Sequence, residues 1–539
     1  MTSETKEIFV RESSGLVRVA TSTSVFMFNI FWTAFGFVLC YVFLWAPNIS
    51  PGANLGLGLA FCAILVIPIT GVYALFAAIM PRSGGDYHYV SRSLHPSLGF
   101  MVSWSWGIWL AFWACWGAFA FTSYGLGPIL GTWGAITQNQ GLADLGVRLG
   151  ALGETTSGTF IIGAIVLVIF ALLAIAGTRL YFNLQKIAFA ILLIGLVTIF
   201  ALIAVNSPAD FAAKFNAAFN WQSGSSDTYN QIITDTQNAG VAVNPSFAFR
   251  PFLLLVPLGF TYMPYCIGST FMAGEIKDVK KAQLYGGPIA TVFLGLFSMI
   301  LGLLYVLTIG SDFYYGIGAA WWGDIEYNIQ VLPYFPTLMG VLTSNPIIYL
   351  VISIGYLVWG VWFVPQNIML VSRNMLAWSF DRIAPAKLSE VDERTHTPIF
   401  NIIIVLIVAE IFLIIFHTTA WITMVSSIFA LCLIILLVGI SAIIFPYRRK
   451  KMYEESVVAE DQLFGIPILV LAGIWTVAVT LLCSYYYLTE DNLFANAPES
   501  LWMIVLIFLS GLILYFVAWW YRRREGIDIE LAFQEIAPE

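Results

Sequence analysis

The chain alternates long apolar stretches with short polar segments. A helix that crosses a bilayer needs about 20 mostly apolar residues, and twelve stretches meet this requirement. They cover residues 24–45, 55–80, 97–130, 158–177, 182–206, 251–273, 286–310, 346–378, 398–416, 421–445, 464–487 and 500–520. The alternating ten-residue strands of a membrane barrel do not occur in the sequence. The pattern predicts an all-α integral membrane protein with about twelve transmembrane helices.

Basic residues collect on one side of this topology. With the N-terminus in the cytoplasm, 21 of the 24 lysines and arginines fall in cytoplasmic segments, and Arg148, Lys214 and Arg250 are the exceptions. Cytoplasmic loops of membrane proteins carry such an excess. We therefore expect a multi-pass protein of the cell (cytoplasmic) membrane, surrounded by a lipid bilayer, with both termini cytoplasmic.

Composition excludes several functional classes. The sequence is 59% hydrophobic and 10% charged, against about 25% charged in a soluble domain. The net charge of −7 gives no support for a nucleic-acid partner. Six scattered cysteines lie inside apolar stretches, the four histidines lie in loops or at a helix end, and a phosphate-binding loop motif does not occur. We expect neither a cofactor nor a metal site, and no enzyme activity.

The sixth stretch contains the strongest helix-breaking signal. Pro251, Pro257 and Pro264 fall within one crossing, together with two glycines. Proline removes a backbone donor and collides with the preceding turn, so the helix should kink or unwind near Pro257 to Pro264. Freed backbone groups at bilayer depth need partners from protein, water or a ligand.

The first stretch carries a weaker form of the same signal, with Asn29, Thr33 and Gly36 at mid-membrane. In the third stretch, tryptophans recur at helical spacing, and they either wall a cavity or pack on neighbouring helices. Residues near the breaks and on adjoining faces are the candidate substrate-binding residues: Asn29, Thr33, Ala34, Phe35, Gly36, Trp106, Trp109, Thr261, Tyr262, Tyr265, Cys266, Ser353 and Tyr356.

Three loop motifs lie at the predicted cytoplasmic ends of helices. They are MPRSGGDYHYV (80–90), GEIKD (274–278) and SRNMLAWSFDRIAP (372–385). They resemble, in order, the P-x-S-G-G-x-Y-x-Y, E-[VI]-K-[ND] and S-R-x-[LM]-x-A-x-x-x-D-x-x-x-P segments of the amino acid–polyamine–organocation (APC) superfamily of permeases. The resemblance extends over residues from about 15 to 450.

This resemblance implies a 5+5 inverted-repeat, leucine-transporter-like fold plus two C-terminal helices. The expected units are a cytoplasmic N-terminal segment (1–23), a first repeat (24–206), an extracellular loop (207–250), a second repeat (251–445), a cytoplasmic loop (446–463), the last two helices (464–520) and a cytoplasmic tail (521–539). The superfamily's G-[ST]-G element falls on Ala34-Phe35-Gly36. A lysine that some proton-coupled members carry in the fifth span falls on Leu192, with Lys186 nearly two turns earlier.

The resemblance also implies a function. We expect a secondary active transporter that moves amino acids or related small organic amines or acids by alternating access, coupled to a proton or sodium gradient. The alternative is a non-transporting scaffold, sensor or membrane-complex subunit that keeps the fold. Both interpretations are compatible with a homo-oligomer.

Charged residues of the three motifs suggest a gate at the cytoplasmic mouth. The gate and motif residues are Arg82, Gly84, Gly85, Glu275, Arg373 and Asp381, with Asp278 and Arg382 beside them. A further carboxyl, Glu410, lies inside the ninth stretch, where a structural or intersubunit hydrogen bond competes with a proton relay as its role.

Overall fold

The computed structural model describes residue 10 and residues 13–150, 157–419 and 426–536. Within them, twelve helical segments are long and apolar enough to cross a membrane, as predicted. They are Ser22–Ile49, Leu55–Ile79, Pro96–Ile136, Gly158–Ile175, Thr178–Val205, Phe249–Phe271, Val279–Ile309, Pro346–Phe380, Ile399–Thr418, Ser427–Arg448, Ile468–Thr489 and Pro498–Arg524. The first residues of the predicted tenth span, Lys6 and Arg11 lie outside the described residues.

Five of the spans are interrupted. The first consists of helices Ser22–Trp32 and Phe35–Ile49, and the third of Pro96–Ala120, a π-helical turn at Phe121–Leu126 and Gly127–Ile136. The sixth consists of helix Phe249–Phe260 followed by 3₁₀ turns at Met263–Tyr265 and Gly268–Phe271, and a further 3₁₀ turn at Ala273–Glu275 comes directly after it. The seventh consists of Val279–Leu284, a π-helical turn at Tyr285–Ile289 and Ala290–Ile309, and the eighth of Pro346–Val361 and Phe363–Phe380.

The first and sixth spans form the centre of the bundle. Of their apolar windows, 83% is buried, against 28% in the ninth span and 22% in the twelfth. A span that is buried over most of its surface is surrounded by protein, whereas a span with many exposed isoleucine and leucine side chains faces lipid. The two spans with predicted breaks are therefore enclosed by the other helices.

Short elements cap the two ends of the bundle. One end, which we call the basic face, carries helices Asp86–Ser93 and Lys450–Glu454, 3₁₀ turns Ala386–Ser389 and Ile529–Gln534, and a hairpin of strands Gln462–Leu463 and Ile466–Pro467. The opposite face carries helices Gln140–Gly150, Pro208–Ser223, Thr228–Asn238, Ser311–Trp322 and Phe335–Gly340, and the 3₁₀ turn Asp491–Leu493.

The long connections of the opposite face are folded rather than merely solvated. Phe211, Phe215 and Phe313 are completely buried, and the rings of Tyr229 and Phe313 stack with centroids 4.4 Å apart. This aromatic cluster ties the segments that include 207–250 and 311–345 to one another, so they cover the bundle as a layer.

Candidate functional site

The first span breaks at Thr33 and Ala34. Ala34 adopts a left-handed conformation (φ 48°, ψ 27°), which costs a residue with a Cβ about 1 kcal/mol. The Thr33 hydroxyl donates to the Ile30 carbonyl at 2.7 Å, and the Ala34 amide donates to the Phe31 carbonyl at 3.0 Å. The first half-helix is thus closed locally, and a new helix N-terminus begins at Phe35.

Gly36 allows the first span to touch the eighth. A Cβ on Gly36 would lie 3.1 Å from both the Gly360 nitrogen and the Tyr356 oxygen. Such a contact is tighter than most real Cβ contacts, so the eighth span would have to shift. The glycine of the predicted element is therefore explained by close helix packing.

The sixth span loses its α-helix over a much longer stretch. Its helix ends at Phe260, and the chain continues to Ile276 in short turns in which amides bond three residues back, as from Tyr265 to the Tyr262 carbonyl at 3.2 Å. Pro257 lies inside the helix, so the break begins within the predicted 257–264 interval but after its first proline. The Pro257 carbonyl, freed by the break, accepts from the Tyr487 hydroxyl at 2.6 Å.

The two breaks face each other. On one side of Ala34, the Trp32 ring packs edge-on against Tyr265 with centroids 5.1 Å apart. On the other side, the Phe35 ring lies 4.7 Å from Tyr262. Four predicted or adjacent residues from opposite halves of the chain therefore meet at the interrupted backbone.

Asn29 fastens the sixth span to the first. Its amide nitrogen donates to the Cys266 carbonyl at 2.9 Å, to the Ser269 hydroxyl at 3.0 Å and to the Gly286 carbonyl at 2.6 Å. Its oxygen accepts from the Ser269 amide at 2.8 Å. Its polar atoms are thus used by the protein, which gives Asn29 a structural role in addition to the predicted contact with solute.

Aromatic side chains pack around the breaks. Trp106 lies between the two spans, with its ring 5.9 Å from Trp32 and 6.5 Å from Tyr265. The indole nitrogen of Trp109 is buried and has no hydrogen-bond partner among the described residues. An unsatisfied buried donor is costly, and the predicted contact of Trp109 with a solute would supply this partner.

The remaining predicted residues lie around this centre. Thr261 donates its hydroxyl to the Leu258 carbonyl at 2.7 Å, and Tyr262 bonds Ser298 at 3.0 Å. Tyr356 bonds the Tyr124 carbonyl at 3.0 Å beside the second half of the first span, and Ser353 is buried one turn before it. No candidate substrate-binding side chain in the described structure is more than 9% exposed. The candidate residues are therefore buried inside the bundle.

A buried ion pair lies at the basic-face end of the sixth span. Arg373 donates to both carboxylate oxygens of Glu275, at 2.9 and 3.3 Å, and the Thr178 hydroxyl adds a bond at 2.6 Å. The backbone carbonyl of Glu275 also accepts from the amides of Val19 and Ala20, just before the first span. The structure thus brings together two of the predicted gate residues.

A second buried pair joins Asp381 to Arg92, which was not among the predicted gate residues. Arg92 contacts the two carboxylate oxygens at 2.7 and 3.0 Å, and the Tyr87 hydroxyl donates at 2.6 Å. Arg82 donates to the Pro81 carbonyl at 3.1 Å, and Asp278 is exposed. Of the predicted gate residues, Glu275, Arg373 and Asp381 therefore take part in buried ion pairs.

The glycine pair of the first motif permits a tight crossing. Gly84 and Gly85 have φ of 118° and 51°, and a Cβ on either would lie under 3.0 Å from Ala377 or Phe271. The Gly84 amide donates to the Phe271 carbonyl at 2.9 Å. The motif therefore packs directly against the end of the broken sixth span.

The next residue, Asp86, is a third buried carboxyl group. Unlike Glu275 and Asp381, it was not among the residues predicted from the sequence. One oxygen accepts from the Trp106 indole at 2.6 Å and from the Tyr73 hydroxyl at 3.2 Å. The other has no hydrogen-bond partner in the described structure. Burial raises the pKa of Asp86 to about 7, although the bonds from Trp106 and Tyr73 oppose this shift. The motif showed an acid here, but only the fold shows that it is buried.

The structure also locates the cysteines and the remaining charged residues that the sequence analysis considered. All six cysteines are buried. Within the described residues, no cluster of three or more His, Cys, Asp or Glu side chains could hold a metal ion. Lys186 is exposed and lies 3.5 Å from Asn183, whereas Leu192 is buried. One carboxylate oxygen of Glu410 is buried without a hydrogen-bond partner in the described structure.

Comparison with known proteins identifies the family. A profile described as amino acid permease matches residues 21–516, which include all twelve spans except the end of the last. No curated protein matches the chain. The family transports amino acids across membranes, in agreement with the helical architecture and the three motifs. The chain therefore belongs to the amino acid permease family of the APC superfamily.

Proposed function

We propose that this permease is a secondary active transporter that carries amino acids or related amines through the cytoplasmic membrane by alternating access. The solute binds between the interrupted first and sixth spans, and a proton or cation gradient drives uphill movement. The basic face lies in the cytoplasm, because the excess of lysine and arginine is expected there.

The proposal rests mainly on the observation that the breaks of the first and sixth spans face each other. A helix N-terminus at Phe35 offers amide donors and a positive dipole end, which favour a carboxylate. Backbone carbonyl groups of an unwound segment favour an ammonium group. The contacts of Trp32 with Tyr265 and of Phe35 with Tyr262 place these opposite partial charges within one small region, which suits a zwitterion.

The aromatic side chains around the break give this region a second property. Phe35, Tyr262 and Trp359 surround the N-terminus of the second half-helix, with the Phe35 and Trp359 centroids 5.0 Å apart. Aromatic faces attract cations and bury apolar side chains. Because the Phe35 ring packs on Tyr262, one of these rings must move before a solute can reach the Phe35 amide.

Closure of the basic face supports alternating access. The Glu275–Arg373 and Asp381–Arg92 pairs are at most 1% exposed. A path to the cytoplasm would require both pairs to separate or to move as units. Removing one partner of a buried pair is strongly unfavourable, so these contacts hold the site closed on this side.

Reconstitution tests the proposal. Purified protein in liposomes should take up radiolabelled members of an amino acid panel, and an imposed proton or sodium gradient should drive accumulation.

Trp109→Phe should raise KM for a transported amino acid about tenfold, because a buried donor to a charged group is lost. The matched control is Trp502→Phe, at a tryptophan that is 68% exposed on the twelfth span.

One feature supports a second candidate, a scaffold or sensor that binds without transport. Phe35 occupies the break where the family pattern has a small residue, and it packs against three rings. Binding of amino acids without uptake or exchange under any gradient would favour that candidate and contradict the transport proposal.

A further inference from the structure

The three buried carboxyl groups near the basic face are not equivalent. Glu275 and Asp381 each have an arginine as partner, at 2.9 and 2.7 Å. Asp86 is completely buried, yet no lysine or arginine forms an ion pair with it in the part of the chain that the structure describes. A buried carboxylate without a cation is stabilised by becoming protonated.

We propose that Asp86 is the site that binds the driving proton, and that it acts on the transport site through its hydrogen bond to Trp106. This inference rests on the proposed function, since it assigns the coupling step of that transporter. The proton adds to the carboxylate oxygen that has no partner, and no other bond is made or broken covalently.

Trp106 links this carboxyl group to both broken spans. Its indole nitrogen lies 2.6 Å from Asp86, and its ring packs against Trp32 on the first span and Phe271 on the sixth. A hydrogen bond to an ionised acceptor is about twice as strong as one to a neutral acceptor. Protonation of Asp86 therefore weakens the bond that holds Trp106 between the two spans.

The hydrogen-bond donors at Asp86 favour a proton over a metal cation. Trp106 and Tyr73 direct an N–H and an O–H toward the same carboxylate oxygen. Their positive ends repel a sodium ion, which needs several oxygen ligands. A proton needs only the second oxygen.

Charged neighbours leave Asp86 free to titrate near neutrality, where burial places its pKa at about 7. Arg92 on the same short helix is occupied by Asp381, and burial and the Arg92 charge lower the pKa of His88 well below its usual range. The titratable and charged groups on the elements packed around Asp86 are Tyr73, Tyr87, His88, Tyr89, Arg92, Asp381, Arg448, Arg449 and Glu530. Among these, Tyr73 forms the hydrogen bond to Asp86.

Proteoliposomes with an internal pH dye and a radiolabelled amino acid test this assignment. Asp86→Asn should keep exchange of labelled for unlabelled solute but lose accumulation driven by a proton gradient, together with the accompanying acidification. Glu410→Gln, which removes the unpaired acid of the ninth span, and Asp324→Asn, which removes an exposed acid of the opposite face, should keep both.

Tyr73→Phe provides a second readout if Asp86→Asn does not fold. The Tyr73 hydroxyl lowers the pKa of Asp86, so its removal should move the pH profile of uptake to higher pH by about one unit. An unchanged profile, or proton-driven accumulation retained in Asp86→Asn, would overturn the role of Asp86 alone. Lack of exchange by the unmodified protein would overturn the transport function itself.

Discussion

The first and sixth spans are both interrupted, but they replace their lost backbone hydrogen bonds in different ways. The first is non-helical at Thr33 and Ala34 only, and the bonds at this break stay within residues 30–38. The sixth has no α-helix between Phe260 and Val279. Its freed groups are bonded by Asn29 of the first span and Tyr487 of the eleventh.

This difference indicates which break can change shape independently. A two-residue hinge with local bonds can bend without breaking backbone hydrogen bonds to other spans. The long unwound segment depends on side chains from other spans, so its shape is fixed by the bundle. We infer that the sixth span changes conformation when its partners move, and that Asn29 and Glu275 transmit that movement to the first span.

The largest effect is expected at the basic-face end of the sixth span. Glu275→Gln leaves Arg373 buried without a counter-charge, so the free energy of unfolding should fall by about 3 to 5 kcal/mol. Chemical unfolding in detergent measures this. Glu454→Gln, in an exposed pair with Lys450, should cost less than about 1 kcal/mol. Equal losses in both variants would contradict the structural role of the buried pair.

The second largest effect is expected from the hydrogen bonds that Asn29 forms between the first and sixth spans. Asn29→Leu has a similar volume but leaves the Cys266 and Gly286 carbonyls and the Ser269 amide without this partner. The free energy of unfolding should fall by about 2 to 4 kcal/mol, and amides of residues 266–272 should exchange faster in hydrogen–deuterium exchange. The exposed Asn183→Leu is the control. Unchanged exchange in 266–272 would show that Asn29 does not hold the segment.

A smaller effect is expected from the eleventh span. Tyr487→Phe removes the only described hydroxyl bonded to the Pro257 carbonyl, which should lower the free energy of unfolding by about 1 to 2 kcal/mol. The neighbouring Tyr485, which is 60% exposed, gives a Tyr485→Phe control without this loss. Equal free energies of unfolding for Tyr487→Phe and Tyr485→Phe would mean that water satisfies the Pro257 carbonyl.

The smallest effect, with the opposite sign, belongs to the hinge of the first span. Ala34→Gly relieves the left-handed strain and should raise the free energy of unfolding by about 0.5 to 1 kcal/mol. Ala46→Gly, in the following helix, should lower it by about 1 kcal/mol. Thermal unfolding of the two variants compares them, and the same sign for both would exclude a strained hinge.

Much of the fold could be predicted from local sequence. Apolar length alone gave the twelve spans, with ends that differ by a few residues, as at Ile49 against the predicted residue 45 and Ile136 against 130. Proline, glycine and polar residues located both breaks. The continuation of the unwound segment to Glu275 could not be predicted, because it depends on Asn29 and on pairing with Ser83 and Gly84, which are distant in sequence.

The candidate site could be predicted less completely. Trp32, Arg92 and Asp86 were missed because their roles arise from tertiary contacts. Arg92 meets Asp381 across 289 residues of sequence. Asp86 resembles any loop acid until burial and the Trp106 bond are known. Hydrophobic pattern specifies where a helix lies, but it does not specify which buried charge lacks a partner.

Hydrogen–deuterium exchange of the protein in lipid nanodiscs, with and without a saturating transported amino acid, tests the central claim most directly. The claim is that solute binds between the two interrupted backbones. Residues 33–36 and 261–276 should both become protected, while peptides of the ninth and twelfth spans remain unchanged. Protection confined to other regions, with both breaks unaffected, would contradict the account.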